Sequence, residues 1–126
     1  SYLDYSFDAD FTLPKQVAHT VTKKMLHSDL PAGTLFNVNI PVVEAADFSG
    51  IKVCRQANAK WVEEFDERRD PHGKKYYWLT GEFKNQDTGN DTDVWALENN
   101  YASLVPVQFD LTHYKLKQQL ETEWTF

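Results

Sequence analysis

The residues Asp70-Pro71-His72-Gly73 fix where this chain must reverse. Asp caps the turn with its side chain, Pro presets φ, and Gly takes the left-handed position. On either side lie alternating stretches. Residues 60–69 put Trp61, Glu63, Phe65 and Glu67 on one face and Val62, Glu64, Asp66 and Arg68 on the other. Residues 74–80 return with Tyr76, Tyr77 and Trp78. The pattern predicts a long two-stranded hairpin with mixed faces. Such an arm either covers the chain's own core or reaches for something else.

The rest of the chain reads as ordinary α+β. Residues 12–27 predict a helix, with Thr12 as N-cap and Pro14 in the first turn, where a missing N–H costs nothing. Val17, Ala18, Val21 and Met25 form its apolar stripe, with Met25 as core filler. Residues 34–40 alternate Phe36, Val38 and Ile40 against Leu35, Asn37 and Asn39, and Pro41 ends that strand. Residues 51–54 form a short second strand. Residues 81–93 read as a polar acidic loop. Residues 93–99 make one or two helical turns capped by Thr92. Residues 101–109 form a strand that Pro106 places at an edge or ends. Thr112 caps a last helix over 112–121. The opening segment, SYLDYSFDADF, carries no strand or helix pattern and reads as a loop.

Composition narrows the function classes. With 126 residues the chain is one domain or part of one. Apolar residues make up 41% and charged residues 25%, which excludes a disordered chain. A formal net charge of -6 argues against a nucleic-acid duplex as partner. No apolar run is long enough to span a membrane, and residues 1–5 show no basic, apolar leader. The lone Cys54 sits in an apolar stretch and reads as a structural thiol of a reducing compartment, the cytoplasm.

The chemistry-bearing residues form no familiar constellation. The stretch from Asp87 to Glu98 fails the calcium-loop pattern, because Gly89 and Thr92 stand where a ligand and a glycine are needed. His19, His27, His72 and His113 lack metal-ligand spacing and read as surface residues. Neither a catalytic, a cofactor-binding nor a metal-binding set is expected within this chain.

Several segments in order resemble one family. Gly33-Thr34-Leu35-Phe36-Asn37-Val38-Asn39-Ile40-Pro41 resembles the G-t-l-l-N-v-N-v-P strand of the SurE family of 5'-nucleotidases. Gly50-Ile51-Lys52-Val53-Cys54-Arg55-Gln56 is similar to its G-i-r-v-t-r-q, and residues 61–77 to its long arm. Asp91-Thr92-Asp93-Val94-Trp95-Ala96-Leu97 matches g-T-D-x-x-A-l. Tyr101-Ala102-Ser103-Leu104-Val105-Pro106-Val107 matches Y-v-S-i-T-P-l, with Asp110-Leu111-Thr112 following in register. Val105 departs from the usual Thr, and Tyr114 lies near a place where some members carry His.

The resemblance implies the C-terminal part of a SurE-like α/β, Rossmann-like fold. Residues 1–126 would be a single partial domain, with a projecting hairpin over 58–82 and a C-terminal strand and helix over 101–126. It implies a parent enzyme that hydrolyses nucleoside 5'-monophosphates to nucleoside and phosphate. In that parent an Asp-Asp-Gly segment, a Ser and an Asn hold Mg²⁺ or Mn²⁺ by oxygen ligands. This sequence has no Asp-Asp pair, so the chain alone is expected to bind no metal and to be inactive. The resemblance also implies a homo-oligomer made through the arm and the C-terminal element. Trp61, Phe65, Tyr76, Tyr77 and Trp78 are then the interface residues, and left bare Trp61, Phe65 and Trp78 would form one apolar patch. The alternative is a stand-alone assembly or binding module without chemistry.

Overall fold

The structure is a computed structural model and describes residues 1–125. Its element order is α1 (Thr12–Leu26), β1 (Thr34–Asn39), β2 (Gly50–Val53), β3 (Ala59–Arg69), β4 (Lys75–Asn85), α2 (Asp93–Glu98), β5 (Tyr101–Gln108) and α3 (Tyr114–Glu123). Two sheets result. One has three strands in the order β1-β5-β2; the other is the β3-β4 hairpin. The α+β class expected from the sequence is the one observed.

The three-stranded sheet organises everything else. β5 is its centre, antiparallel to β1 and parallel to β2. The sequence places Pro106 near an edge or a strand end; β5 is the central strand, but at position 106 it is paired with β1 alone. The β2 ladder ends with Val53 opposite Leu104, and Cys54 N–H donates to the Leu104 carbonyl at 2.9 Å. Backbone groups alternate sides along a strand, so position 106 turns the same way as 104. The N–H that Pro106 lacks would have pointed where β2 no longer runs. A proline thus costs the centre strand nothing there. The opening segment also joins in: Tyr2 forms a parallel bridge to Ile40, and its ring meets Phe11 edge-on at 5.6 Å.

Strand alternation gives the sheet two unlike faces. Ile40, Val38, Ala102 and Leu104 face α1, where Val17 and Val21 complete an apolar cluster. Cys54, Val105 and Tyr101 pack on α2 through Ala96. Met25 and Ala18 lie outside the core, contrary to the expected stripe; both are exposed. Met25 lines an open apolar cleft of about 320 Å³ with Val21, Leu30, Phe36, Ile51 and Leu104. The short strand β2 leaves α1 without a full sheet to cover.

Helix ends show where local reading succeeds and fails. Thr92 caps α2 as expected: its hydroxyl accepts from Trp95 N–H at 3.2 Å, and the residue is fully buried. Thr12 does not cap α1. It is the first helical residue, and Asp10 Oδ1 accepts from its N–H at 2.8 Å and from its hydroxyl at 2.7 Å. The anion two residues upstream competes better for the free N–H than a hydroxyl does. Thr112 is likewise displaced by His113, whose Nδ1 accepts from Leu116 N–H at 3.0 Å.

One buried group is unsatisfied. Ser103 is fully buried at the sheet centre, and its hydroxyl has no hydrogen-bond partner among the described residues. Such a hydroxyl costs desolvation without a compensating bond. Ser103→Ala is therefore expected to stabilise the fold by about 1 kcal/mol, read as a higher urea midpoint at unchanged slope. A lower midpoint would mean that the hydroxyl finds a partner in solution.

Candidate interaction site

The arm is built as the turn demands. Gly73 N–H donates to the Asp70 carbonyl at 2.9 Å, and Gly73 adopts φ 81. Asp70 Oδ1 accepts from the N–H groups of His72 and Lys74 at 2.9 and 2.8 Å. From there β3 and β4 pair without a break from Arg69↔Lys75 to Ala59↔Asn85. The return strand therefore runs five residues further than the 74–80 expected from sequence. Its last residues, Gly81 to Asn85, were expected as loop. They are strand because β3 opposite them is still extended and offers a ladder.

The register sorts the rings. Trp61↔Phe83, Phe65↔Leu79 and Glu67↔Tyr77 share one face; Asp66↔Trp78 and Arg68↔Tyr76 share the other. Trp61, Phe65 and Trp78 thus do not form one patch, because a one-residue offset sends Trp78 through the ribbon. Trp61 is 58% exposed, Phe65 70% and Trp78 54%. Tyr76, Tyr77, Leu79 and Phe83 are exposed as well. These rings do not serve the core of the described residues. On the first face Trp61 lies against Gly81: a Cβ there would sit 2.2 Å from the indole nitrogen. On the second, the Arg68 guanidinium sits 5.9 Å from the Trp78 ring centre.

A clamp at the arm's base ties it to the sheet. Arg55, one residue past Cys54, grips Asp87 with two nitrogens at 2.6 and 2.9 Å and Asp91 with a third at 3.0 Å. Its backbone N–H donates to the Asp91 carbonyl, and its carbonyl accepts from Asp93 N–H, both at 3.0 Å. Asp87 also accepts from the N–H groups of Asn58 and Gly89 at 3.1 and 3.0 Å. The Arg55 guanidinium, helped by those amides, holds the Asp87 carboxyl well below the usual carboxylate range, and the Asp87 hydrogen bonds push Arg55 up. Sequence reading missed this clamp, taking 81–93 as solvated. The available sign was an arginine after a strand and a downstream Asp-rich loop; nothing local pairs them across 32 residues.

The same clamp shows why the acidic loop is no cation site. Asp87 and Asp91 are committed to Arg55, and Asp93 Oδ1 accepts from Ala57 and Val94 N–H, both at 2.9 Å. Among the described residues no three His, Cys, Asp or Glu side chains come together as metal ligands. The residues present do not fit a divalent ion. Cys54 is buried, and that burial pushes its thiol pKa up, as for a structural thiol. At the C-terminal end, Tyr114 donates to Asp110, which pushes the phenol up. Leu116 and Trp124 of this end are exposed.

Comparison with known proteins follows the same lines. The family model described as "Survival protein SurE" matches residues 1–63, half of the chain. The chain belongs to the SurE family. It is 57% identical over 118 residues to a protein named 5'-nucleotidase SurE from Christiangramia forsetii, covering 93% of this chain and 45% of that protein. It is 52% identical over 122 residues to one of the same name from Flavobacterium johnsoniae, covering 97% and 47%. The crystal structure of SurE from Aquifex aeolicus superposes with a TM-score of 0.74 at 33% identity, covering 97% of this chain and 49% of that one. The chain thus spans about half the length of the SurE relatives it matches. No helix among the described residues is long and apolar enough to cross a membrane.

The clamp predicts an acid-sensitive fold. A carboxyl with a depressed folded pKa stabilises above its unfolded value of about 4 and loses that contribution as pH falls. Urea midpoints should therefore drop between pH 5 and lower pH in the native sequence, and Arg55→Ala should shrink that drop while lowering the midpoint at pH 7. Parallel pH curves for the two proteins would remove the clamp from the account.

Proposed function

We propose that this chain is the C-terminal part of a metal-dependent 5'-nucleotidase that hydrolyses nucleoside 5'-monophosphates to nucleoside and phosphate. The observation that carries the reading is the identity of 57% and 52%, over nearly the whole chain, with proteins named 5'-nucleotidase SurE. In this reading Mg²⁺ or Mn²⁺ and its oxygen ligands belong to the part of the protein outside this chain. The half described here supplies assembly: a homo-oligomer through the arm, with Trp61, Phe65, Tyr76, Tyr77 and Trp78, and through the C-terminal element. The buried lone Cys54 supports a reducing, cytoplasmic setting. The net charge of -6 speaks against duplex nucleic acid as a partner.

A second reading, an assembly or binding module without chemistry, draws on the missing donor cluster among the described residues. The two part on one assay. The full-length protein should release phosphate from a nucleoside monophosphate with Mn²⁺ or Mg²⁺, and residues 1–126 alone should release none. Without a fixed cation, nothing in this half offsets charge on a phosphoryl group in transfer. Turnover that copurifies with the 126-residue chain would place catalysis in this half. Silence from the full-length protein would favour the module.

A further inference from the structure

A cleft of about 400 Å³ opens where two parallel segments of the sheet end. Ile40 N–H donates to the Ser1 carbonyl at 2.8 Å and Leu3 N–H to the Ile40 carbonyl at 3.2 Å, so residues 1–3 run parallel to β1 beside it. The chain leaves the first segment at Asp4 and the second at Val42. Both exits line the cleft, and the start of α1 closes it with Leu13 and Gln16. The space outside the carboxyl ends of neighbouring parallel strands is where open α/β sheets hold their ligands. The lining has two parts. Tyr2, Leu13, Val42 and Val43 make an apolar wall, and Asp4, Asp10 and Glu44 stand around it. The hydroxyl and N–H of Ser6 donate to Asp4 at 2.6 and 2.8 Å, and those of Thr12 to Asp10 at 2.7 and 2.8 Å. These bonds hold both carboxyls below their ordinary values, and all of them fall on Oδ1, which leaves Oδ2 of each to accept from a ligand. Glu44 is in no ion pair among the described residues. The three carboxylates do not come together as metal ligands.

We propose that this cleft holds the nucleoside end of the substrate, with the base against Tyr2 and Val42 and the ribose hydroxyls donating to Glu44. This rests on the reading of the whole protein as a 5'-nucleotidase and names residues of this half that touch its substrate. The lining decides which end enters. Three carboxylates repel a phosphate, so the phosphoryl group lies outside the cleft, toward the cation and its ligands in the rest of the protein. A nucleoside is neutral, and its ribose hydroxyls are donors. An acidic side chain beyond a strand is a common acceptor for them in α/β folds. The base has a flat apolar face, which suits the valines and the Tyr2 ring. Phe11 meets that ring edge-on at 5.6 Å and fixes its plane. Partial burial, then Asp4, Asp10 and Glu44, push the Tyr2 phenol up, so it stays protonated and can donate to an oxygen of the ligand. Contact with the face of a base reads none of its edges, so the cleft takes several bases alike.

Steady-state kinetics of the full-length protein with two substrates test this: adenosine 5'-monophosphate, and p-nitrophenyl phosphate, which carries neither ribose nor base. Glu44→Ala should raise KM for the nucleotide about fivefold, as for one lost hydrogen bond, and leave kcat within about twofold. Val42→Asp, at a position 58% exposed, should raise KM at least as much by setting a charge into the apolar wall. Both variants should keep the native kcat/KM for p-nitrophenyl phosphate, which also shows that they are folded and carry their cation. Adenosine should inhibit the native protein competitively and each variant about fivefold more weakly. Should Val42→Asp fail to fold, Val42→Ser probes the same wall. Variants that lose both substrates equally overturn the proposal, since the residues then serve the fold or the reacting centre. Variants with native KM for the nucleotide overturn it too, and the nucleoside then lies elsewhere. A native protein that cleaves p-nitrophenyl phosphate but not the nucleotide removes the substrate and leaves a phosphatase. One that cleaves neither removes the enzymatic reading itself.

Discussion

A single guanidinium decides how this chain is held together. Arg55 leaves the end of β2, in the sheet, and closes on Asp87 and Asp91, in the segment that leads from the arm to α2. Its own backbone pairs with Asp91 and Asp93. Three elements are thus tied at one residue: the sheet, the arm's base and the helix that packs on the sheet's second face. A bidentate arginine–carboxylate pair suits the task because it fixes direction as well as distance. Asp87, half-buried and accepting two further backbone amides, is the rigid side of the clamp. A lysine at position 55 would keep the charge and lose the geometry.

The arm beyond that clamp has almost no burial of its own. A two-stranded ribbon is marginal in water, since each strand has one neighbour and no face is covered. What the arm does own is local: a turn capped by Asp70, an unbroken ladder, and exposed ion pairs worth little each. Fully burying one aromatic side chain contributes about 2 kcal/mol, more than a surface pair does. The energetic case for this element therefore lies in what covers its rings. Charged residues between the rings keep the uncovered ribbon soluble and oppose pairing in a wrong register.

What could be read from sequence was what neighbouring residues decide. The turn at Asp70-Pro71-His72-Gly73, the Thr92 cap and the alternation in β1 and β3 all depend on contacts a few residues apart. The misses depend on distant ones. Pro106 marks a local edge, but nothing in its own segment tells that the same strand is central as far as Leu104. Gly81 to Asn85 looked like a loop because the strand that pairs with it lies some twenty residues upstream. Asp87 and Asp91 looked solvated for want of a visible partner. The three rings taken for one patch were split by parity, which a register assigns and a composition does not. Even so, the SurE motifs were legible, because each is a short run whose order along the chain could be checked.

The arm's geometry also separates assembly from catalysis. Groups that act on a phosphoryl centre must be held to a fraction of an ångström by packed neighbours. β3 and β4 touch chiefly each other, so a side chain on them inherits the bending of the whole ribbon. A ribbon held chiefly at its base is therefore a poor platform for such groups. That freedom does not disqualify it as a contact surface, because exposed rings gain from any cover that removes them from water.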